Sequence, residues 1–292
     1  FGHGTHVAGS IAGNGARSFG SIKGMAYNAS LVIQGIADDL DQLDPPNNIS
    51  TLFQDAYDAG ARVHSNSWGG TPAGGNGDYD TWSRYVDEFI WQHKNMTILF
   101  AAGNDGVDSN SNGVIDLDTM LSPATAKNSI SVGASENDRS TFVTSYGTGF
   151  GYTTNPIRTD TMANNTDGMA AFSSRGPCQD SRIKPDVVAP GTWVLSTKSS
   201  QSATTGWGAY NSYYLYMGGT SMATPITAGA AALVRQWVKE NYSKDASSAL
   251  VKALLVNGAQ DMYPGQYGGG ATKDVTGWPA HAGSQRSPTP RP

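Results

Sequence analysis

The sequence predicts an α/β fold in which helices pack against a mostly parallel β-sheet. Short apolar runs of strand type alternate along the chain with longer segments whose apolar residues recur at helical spacing. This alternation is typical of β-α-β units, whose strands run parallel. Sheets of this kind collect functional residues at the carboxyl ends of their strands. The residues that follow each strand are therefore the candidates for a shared site.

The expected elements follow one another in a regular order. Helices are expected over residues 3–13, 51–60, 79–94 and 244–258, and strands over residues 29–34, 61–70, 96–104 and 129–134. In the last of these helices, Leu250, Leu254 and Leu255 are expected to face inward. The segment 226–234 is small and apolar on every face, which indicates a buried helix. Residues 139–168 are polar and rich in Thr, Gly and Asn, so we expect a surface excursion there.

Composition and charge exclude several classes of function. The formal net charge is −5 and the chain has no basic run, which makes nucleic acid an improbable partner. The single cysteine, Cys178, excludes an internal disulfide and a CxxC metal or redox motif. No apolar stretch is long enough to span a bilayer, and no signal peptide stands at the start. A compact globular protein without a membrane partner is expected.

Ser221 stands at the predicted start of the buried helix. Pro225 is expected in its first turn, where a missing N–H has no partner to lose. The unpaired N–H groups and the dipole of a helix start favour negative charge. A hydroxyl in this place is well sited for nucleophilic attack on a carbonyl, because backbone donors can meet the resulting oxyanion. The alternative is that Ser221 only caps the helix.

Two histidines lie one turn apart on the first predicted helix. The spacing of His3 and His6 differs from the zinc-protease pattern, which needs four residues and a glutamate between its histidines. A general base is the better interpretation of His3, since its reference pKa lies near neutral pH. His6 is interpreted as a structural histidine. Gly69, Asn104 and Ser221 all follow predicted strands, which indicates a shared site.

The loop that begins at Asp108 has the pattern of a calcium-binding loop. Oxygen-bearing side chains alternate, and a glycine, an apolar residue and further acids follow them. The candidate ligands are the side chains of Asp108, Asn110 and Asn112, the backbone carbonyl of Val114, and the carboxylate of Asp116 or Asp118. The last position of the standard loop falls on Thr119, which cannot supply a bidentate carboxylate. A solvated polar loop without calcium is the alternative.

Three motifs together resemble the subtilisin-like serine peptidases. They are His-Gly-Thr-His-Val-Ala-Gly from residue 3, Ala-Ala-Gly-Asn from residue 101 and Gly-Thr-Ser-Met-Ala-Thr-Pro from residue 219. The resemblance implies a three-layer α/β/α fold and a serine endopeptidase. Ser221 would be the nucleophile, His3 the base and Asn104 the side-chain donor to the oxyanion. The segments Ser67-Trp68-Gly69 and Ala101-Ala102-Gly103 would flank the substrate and form walls of the first specificity pocket.

The resemblance also implies partners and a location. Polypeptide substrates, a monomeric state and secretion are expected, and the bacterial branch with an extra C-terminal β-domain is the most similar one. Residues 1–262 would form the catalytic domain without its N-terminal part, and residues 263–292 a disordered Gly/Pro-rich tail.

One departure from the family pattern concerns the carboxylate of the triad. The family places that aspartate on a strand before the histidine helix, but only Phe1 and Gly2 precede His3 here. Loss of such a carboxylate costs about 10⁴ in rate in chymotrypsin-type enzymes. The 292-residue chain is therefore expected to be nearly inactive. A non-catalytic peptide-binding relative and a calcium-binding surface module remain the alternatives to an endopeptidase.

Overall fold

The fold is described from a computed structural model that covers residues 2–38, 40, 42–275 and 285–286. Its helices are α1 (His3–Ala12), α2 (Ser50–Asp58), α3 (Thr81–Gln92), α4 (Tyr146–Phe150), α5 (Thr220–Tyr242) and α6 (Ser248–Asn257). Its strands are β1 (Val63–Asn66), β2 (Thr97–Ala101), β3 (Ile130–Ser135), β4 (Val187–Pro190), β5 (Val194–Thr197), β6 (Gly208–Ala209), β7 (Tyr214–Met217), β8 (Gln260–Asp261) and β9 (Gln285–Arg286). Short 3-10 turns occur at Ala16–Ser18 and Ile157–Thr159.

Strands β1 to β4 form a parallel sheet in chain order. Strand β9 pairs parallel with β4, and β8 pairs antiparallel with β9 at the edge. A second, antiparallel sheet has the order β5-β7-β6. The first sheet carries the α/β core, and the second supports α1.

The sheet is covered on both faces. Along β2, Ile98 and Phe100 pack in one apolar cluster with residues of α2 and α3, such as Phe53 and Phe89. Leu99 lies between them in sequence and packs in the other cluster, with residues of α5 and α6. Successive strand residues point to opposite faces, so β2 is buried from both sides. The predicted three-layer α/β/α fold with a mostly parallel sheet is confirmed.

Two expectations about local structure were wrong. The apolar run 29–34 is not a strand, and Leu31, Val32 and Ile33 are 43%, 47% and 70% exposed. An isolated strand has no stability, and among the described residues none pairs with this run. In the last helix Leu250 is exposed, whereas Val251 and Leu255 are buried.

The excursion 139–168 is also less superficial than its composition suggests. It contains α4, and Tyr146, Ile157 and Met162 are buried in the cluster that packs under α5 and α6. The hydroxyl of Tyr146 donates to the buried carboxyl of Glu136 at 2.9 Å. A few apolar anchors therefore hold a polar segment against the core.

Residues 263–275 pack on the rest of the fold. Val275 is 1% exposed, and Gln266 Nε2 donates to Glu136 Oε1 and to Asp160 Oδ2, at 2.9 Å in both cases. The hydroxyl of Tyr267 also donates to Asp160, at 2.7 Å. Residues 263–275 thus differ from the disorder expected of them, and the remainder of the predicted tail lies largely outside the described residues. In the described residues, no helix combines the length and apolar composition that crossing a membrane requires.

A nearly buried ion cluster fixes β4 to α6. The carboxylate of Asp186 contacts Lys184 Nζ at 2.7 Å and Lys252 Nζ at 2.8 Å, and it accepts from the backbone and hydroxyl of Ser131. Burial opposes its charge, but the two ammonium groups outweigh burial and lower the pKa of Asp186 to about 2. Burial lowers the pKa of Lys184 to about 8, so the cluster is ionised at neutral pH.

We expect Asp186→Asn to lower the free energy of unfolding in urea by about 3 kcal/mol, since the buried Lys184 and the partly exposed Lys252 lose their partner. The matched control is Glu88→Gln, which breaks the exposed Arg84–Glu88 pair and should cost less than about 1 kcal/mol. Because the folded pKa of Asp186 is lowered, its contribution is present above pH about 4 and is lost as pH falls through about 2. Equal losses in the two variants would contradict the assignment.

Candidate active site

The candidate site lies at the carboxyl edge of the parallel sheet. Ser67 to Gly69 follow β1, and Ala102 to Asn104 follow β2, its neighbour in the sheet. Helix α5 begins at Thr220, between these two strand ends, and packs on all four parallel strands. The structure thus brings the predicted segments to one place, as their positions after parallel strands imply.

Ser221 is held at the start of α5 by a reciprocal pair of hydrogen bonds. Its hydroxyl donates to the carbonyl of Ser67 at 3.2 Å, and the hydroxyl of Ser67 donates to the carbonyl of Ser221 at 2.8 Å. Pro225 is the sixth residue of α5 and not in the first turn as expected. Because Pro225 has no N–H, the Ser221 carbonyl lacks its helical donor, and Ser67 supplies the replacement.

Asn104 fills the role of a cap for α5. Its Oδ1 accepts from the backbone N–H of Thr220 at 2.9 Å and from the hydroxyl of Thr220 at 3.1 Å. A backbone N–H can only donate, so this contact fixes which end of the amide is oxygen. The Nδ2 group is left to donate elsewhere. A Cβ added to Gly219 would lie 3.4 Å from Asn104 Nδ2 and 3.6 Å from Ser221 N, so both donors border the space above this glycine.

Helix α1 presents His3 at its first position. The helix spans His3–Ala12, as predicted, and ends at Gly13, whose N–H donates to the carbonyl of Gly9. The side chain of His3 is exposed, and partial desolvation of its ring lowers its pKa. The neutral imidazole, which can accept a proton, is therefore favoured at neutral pH. In the described residues His3 has no hydrogen bond or ion pair with a carboxylate.

His6 anchors α1 to the antiparallel sheet. It is fully buried, and its Nε2 donates to the carbonyl of Val194 in β5 at 3.1 Å. The hydroxyls of Ser196 and Thr197 donate to the carbonyls of His6 and Thr5. Desolvation lowers the pKa of His6 to about 4. This histidine has the structural role that was predicted for it.

The two segments predicted as pocket walls, 67–69 and 101–103, border the site mainly with their backbones. The ring of Trp68 turns into the body and packs against Phe100 and Trp82, and Ala101 and Ala102 are buried. Gly69 and Gly103 face the side chain of Leu121, because a Cβ on Gly103 would lie 2.6 Å from Leu121 Cγ. Sequence analysis missed Leu121, which lies in an irregular stretch without periodicity and reaches the site through tertiary packing.

The loop 108–118 is folded around its own polar side chains. Asp108 accepts the N–H groups of Asn112 and Gly113 at 2.9 Å, and Asn112 Oδ1 accepts that of Val114 at 2.8 Å. Asp116 accepts from Ser109 across the loop. Asn110 also binds Asn112 N–H, whereas Asp118 makes no side-chain contact with these residues. Among the described residues, no group of three or more His, Cys, Asp or Glu side chains is arranged to hold a metal.

Comparison with known proteins identifies the family. The model of the Subtilase family matches residues 1–279, and the chain belongs to this family. It is 32% identical to the serine protease AprX of Bacillus subtilis, over 92% of this chain and 56% of that protein. It is 31% identical to the serine protease/ABC transporter B family protein tagD of Dictyostelium discoideum, over 89% of this chain and 18% of that protein.

Solved structures agree in fold. Sphericase aligns with a TM-score of 0.59 at 24% identity, over 88% of this chain and 69% of its own. A cold adapted subtilisin-like serine proteinase aligns with a TM-score of 0.52 at 23% identity, over 89% and 68%. The chain spans between about a sixth and just over half of the length of the curated relatives tagD, tagB and AprX that it matches.

The burial of His6 leads to a prediction about how stability depends on pH. We expect His6 to titrate near pH 4 by NMR, and to contribute about 3 kcal/mol to the loss of stability between pH 6.5 and 4. The sign follows because the unfolded chain binds this proton at higher pH than the folded chain, so stability falls as pH falls. His6→Gln should flatten the pH dependence of the urea midpoint, and His93→Gln serves as the control. An unchanged slope in His6→Gln would contradict the assignment.

Proposed function

We propose that the protein is a serine endopeptidase that cleaves peptide bonds through an acyl-enzyme on Ser221. The observation that carries this proposal is the placement of Asn104 at the start of α5. Its oxygen is occupied by Thr220, and its amide nitrogen and the Ser221 N–H border the same space over Gly219. Two preorganised donors beside a hydroxyl supply what an acyl transfer needs, since negative charge develops on the carbonyl oxygen.

The chemistry assigns one step to each group. Neutral His3 would take the proton of Ser221 as the Oγ–carbon bond forms and the carbonyl oxygen becomes an oxyanion. Collapse of the oxyanion would break the peptide bond, and the imidazolium would give its proton to the leaving amine. Water would then repeat these steps on the acyl-enzyme. The Ser221 hydroxyl must first turn from its partner, the Ser67 carbonyl, toward His3.

A peptide-binding relative without chemistry is the second candidate. It would need only the two strand-end segments, which can pair with an extended peptide through backbone groups. The cap that Asn104 Oδ1 forms on α5 would serve either protein, but its free Nδ2 group beside the Ser221 N–H serves only the enzyme, because a neutral peptide carbonyl gains little from two converging donors. This placement favours the enzyme.

The carboxylate that orients His3 is absent from the contacts of the described residues. We infer that residues 1–292 alone turn over substrate slowly, because an unsupported imidazole loses its orientation. Polypeptides are the substrates that the family implies. A Cβ on Gly103 would lie 2.6 Å from Leu121 Cγ, so this side chain would limit the depth of the proposed specificity pocket and favour small or medium side chains there. Secretion and a monomeric state remain proposals from the family, to be checked by cell fractionation and gel filtration.

We expect Asn104→Ala to lower kcat for a fluorogenic peptide by a factor of about 10²–10³, with KM nearly unchanged. The measurement uses the full translated product of the gene, with Ser221→Ala as the inactive reference. Asn241→Ala, in the exposed last turn of α5, is the matched control and should leave kcat unchanged. Hydrolysis that survives Ser221→Ala would overturn the proposed function.

We also propose that the loop 108–118 binds calcium. Support comes from hard oxygen ligands, which calcium prefers, gathered around one turn. Asp108 and Asn112 already bind loop N–H groups, and each oxygen keeps a further lone pair for an ion. Asp116 would supply the carboxylate from across the loop, and Val114 a backbone carbonyl.

Calorimetry tests this site without any assay of activity. Calcium should bind the folded chain, and Asp108→Ala should remove that heat, since the side chain that organises the loop is lost. Asp167→Ala, in another exposed loop, is the control. The calcium proposal fails when no heat is released, or when Asp108→Ala releases as much as the unaltered chain.

A further inference from the structure

An aromatic side chain lies directly against the residues that precede the nucleophile. Trp207 belongs to the segment 198–213, which connects β5 to β7. A Cβ added to Gly218 would lie 2.0 to 2.4 Å from three atoms of the Trp207 ring, so the indole packs flush on this glycine. The backbone N–H of Trp207 donates to the carbonyl of Tyr216 at 2.8 Å. The ring is therefore fixed three residues before Ser221.

The indole is supported from behind and remains partly open to solvent. Trp193 and Phe172 are buried and contact it edge-on, with centroid distances of 5.4 and 6.1 Å. Phe150 contacts it at 5.9 Å and is itself 46% exposed. The partly buried Trp207 and the half-exposed Phe150 form an apolar surface, here called the aromatic shelf. Buried aromatic neighbours hold it rigid, which lowers the entropic cost of binding on it.

The position of the segment 198–213 indicates which half of a substrate would reach the shelf. A Cβ added to Gly2 would lie 3.3 Å from Ser202 Cβ and 3.4 Å from Ser199 Cβ, so this segment also borders the start of α1. The base that takes the proton of the nucleophile later gives it to the leaving amine. The leaving half of the substrate would therefore run past His3, toward the side on which Ser199 and Ser202 border the start of α1.

We propose that Trp207, supported by Phe150, binds the side chain of the first residue on the leaving-group side of the scissile bond. An aromatic or large apolar side chain is favoured there, because it gains apolar contact and edge-to-face ring packing on the shelf. Trp207 is a specificity-determining residue and takes no part in proton transfer. The inference rests on the proposed endopeptidase function and deepens it.

Partition of the acyl-enzyme between water and an added amine tests the proposal, because the amine occupies the leaving-group side by definition. An ester substrate acylates Ser221 in the full translated product, and phenylalanine amide or alaninamide is then offered as acceptor. The amine nitrogen bonds to the acyl carbon as the Oγ–carbon bond breaks, and its proton passes through His3 to Ser221 Oγ. We expect phenylalanine amide to capture the acyl group about ten times more efficiently than alaninamide.

Variants decide the outcome. Trp207→Ala should reduce this preference to about one, while Trp207→Phe should keep most of it. Trp237→Ala removes an exposed tryptophan 16 residues beyond Ser221 on α5, and it should change nothing. Thermal melting shows whether each variant is folded. If Trp207→Ala does not fold, the test compares Trp207→Phe, which should keep most of the preference for phenylalanine amide, with Phe150→Ala, which should reduce that preference at least twofold.

The two proposals fail in different ways. Ester turnover no greater than that of Ser221→Ala would overturn the endopeptidase function, and the shelf with it. An acyl-enzyme that forms normally, but whose preference for phenylalanine amide is absent or survives both Trp207→Ala and Phe150→Ala in folded protein, overturns only the role of Trp207.

Discussion

The first turn of α5 depends on a missing hydrogen bond. Pro225 cannot donate to the carbonyl of Ser221, and Ser67, at the end of the neighbouring strand β1, donates in its place. The Ser221 hydroxyl in turn donates to the carbonyl of Ser67. The proline would weaken an ordinary helix, but here it leaves a carbonyl free that bonds the helix to the edge of the sheet. The hydrogen bonds between Ser67 and Ser221 thus fix the position of the proposed nucleophile. Asn104, which follows β2, caps the same turn through its side-chain amide.

Small residues allow α5 to lie close to its neighbours. Gly229 contacts Met25 so closely that a Cβ would lie 2.6 Å from that of Met25, and Ala223, Ala228 and Ala231 are buried. A helix with larger side chains would stand farther from the sheet and carry Ser221 away from Ser67 and Asn104. The small residues of α5 thus set the geometry of its first turn, which carries Ser221.

The sequence was informative where a local rule decides the structure. Helix α1 begins and ends as its motif and Gly13 indicate, and the parallel order of the strands follows from the alternation of elements. The sequence was misleading where pairing or packing with residues far along the chain decides the local structure. The apolar run 29–34 has strand propensity but no strand beside it among the described residues, and the polar excursion 139–168 is held by a few buried anchors such as Tyr146. Leu121 lies at the site because its side chain packs against Gly69 and Gly103. The spacing of apolar residues in the sequence does not predict this contact.

The two histidines of α1 show how a buried group can place an exposed one. His6 is neutral and fixed to β5, and its backbone carbonyl accepts from Ser196, so the rotation of α1 about its axis is determined from the buried side. Residues three apart lie on nearly the same face of a helix, so fixing His6 also directs His3. His3 itself can then remain exposed, as its proposed role as a base toward substrate requires. Burial would anchor His3 more firmly, but it would also lower its proton affinity toward that of His6 and remove it from the substrate. With the anchor on His6 and the proposed base on His3, one turn apart, neither cost arises.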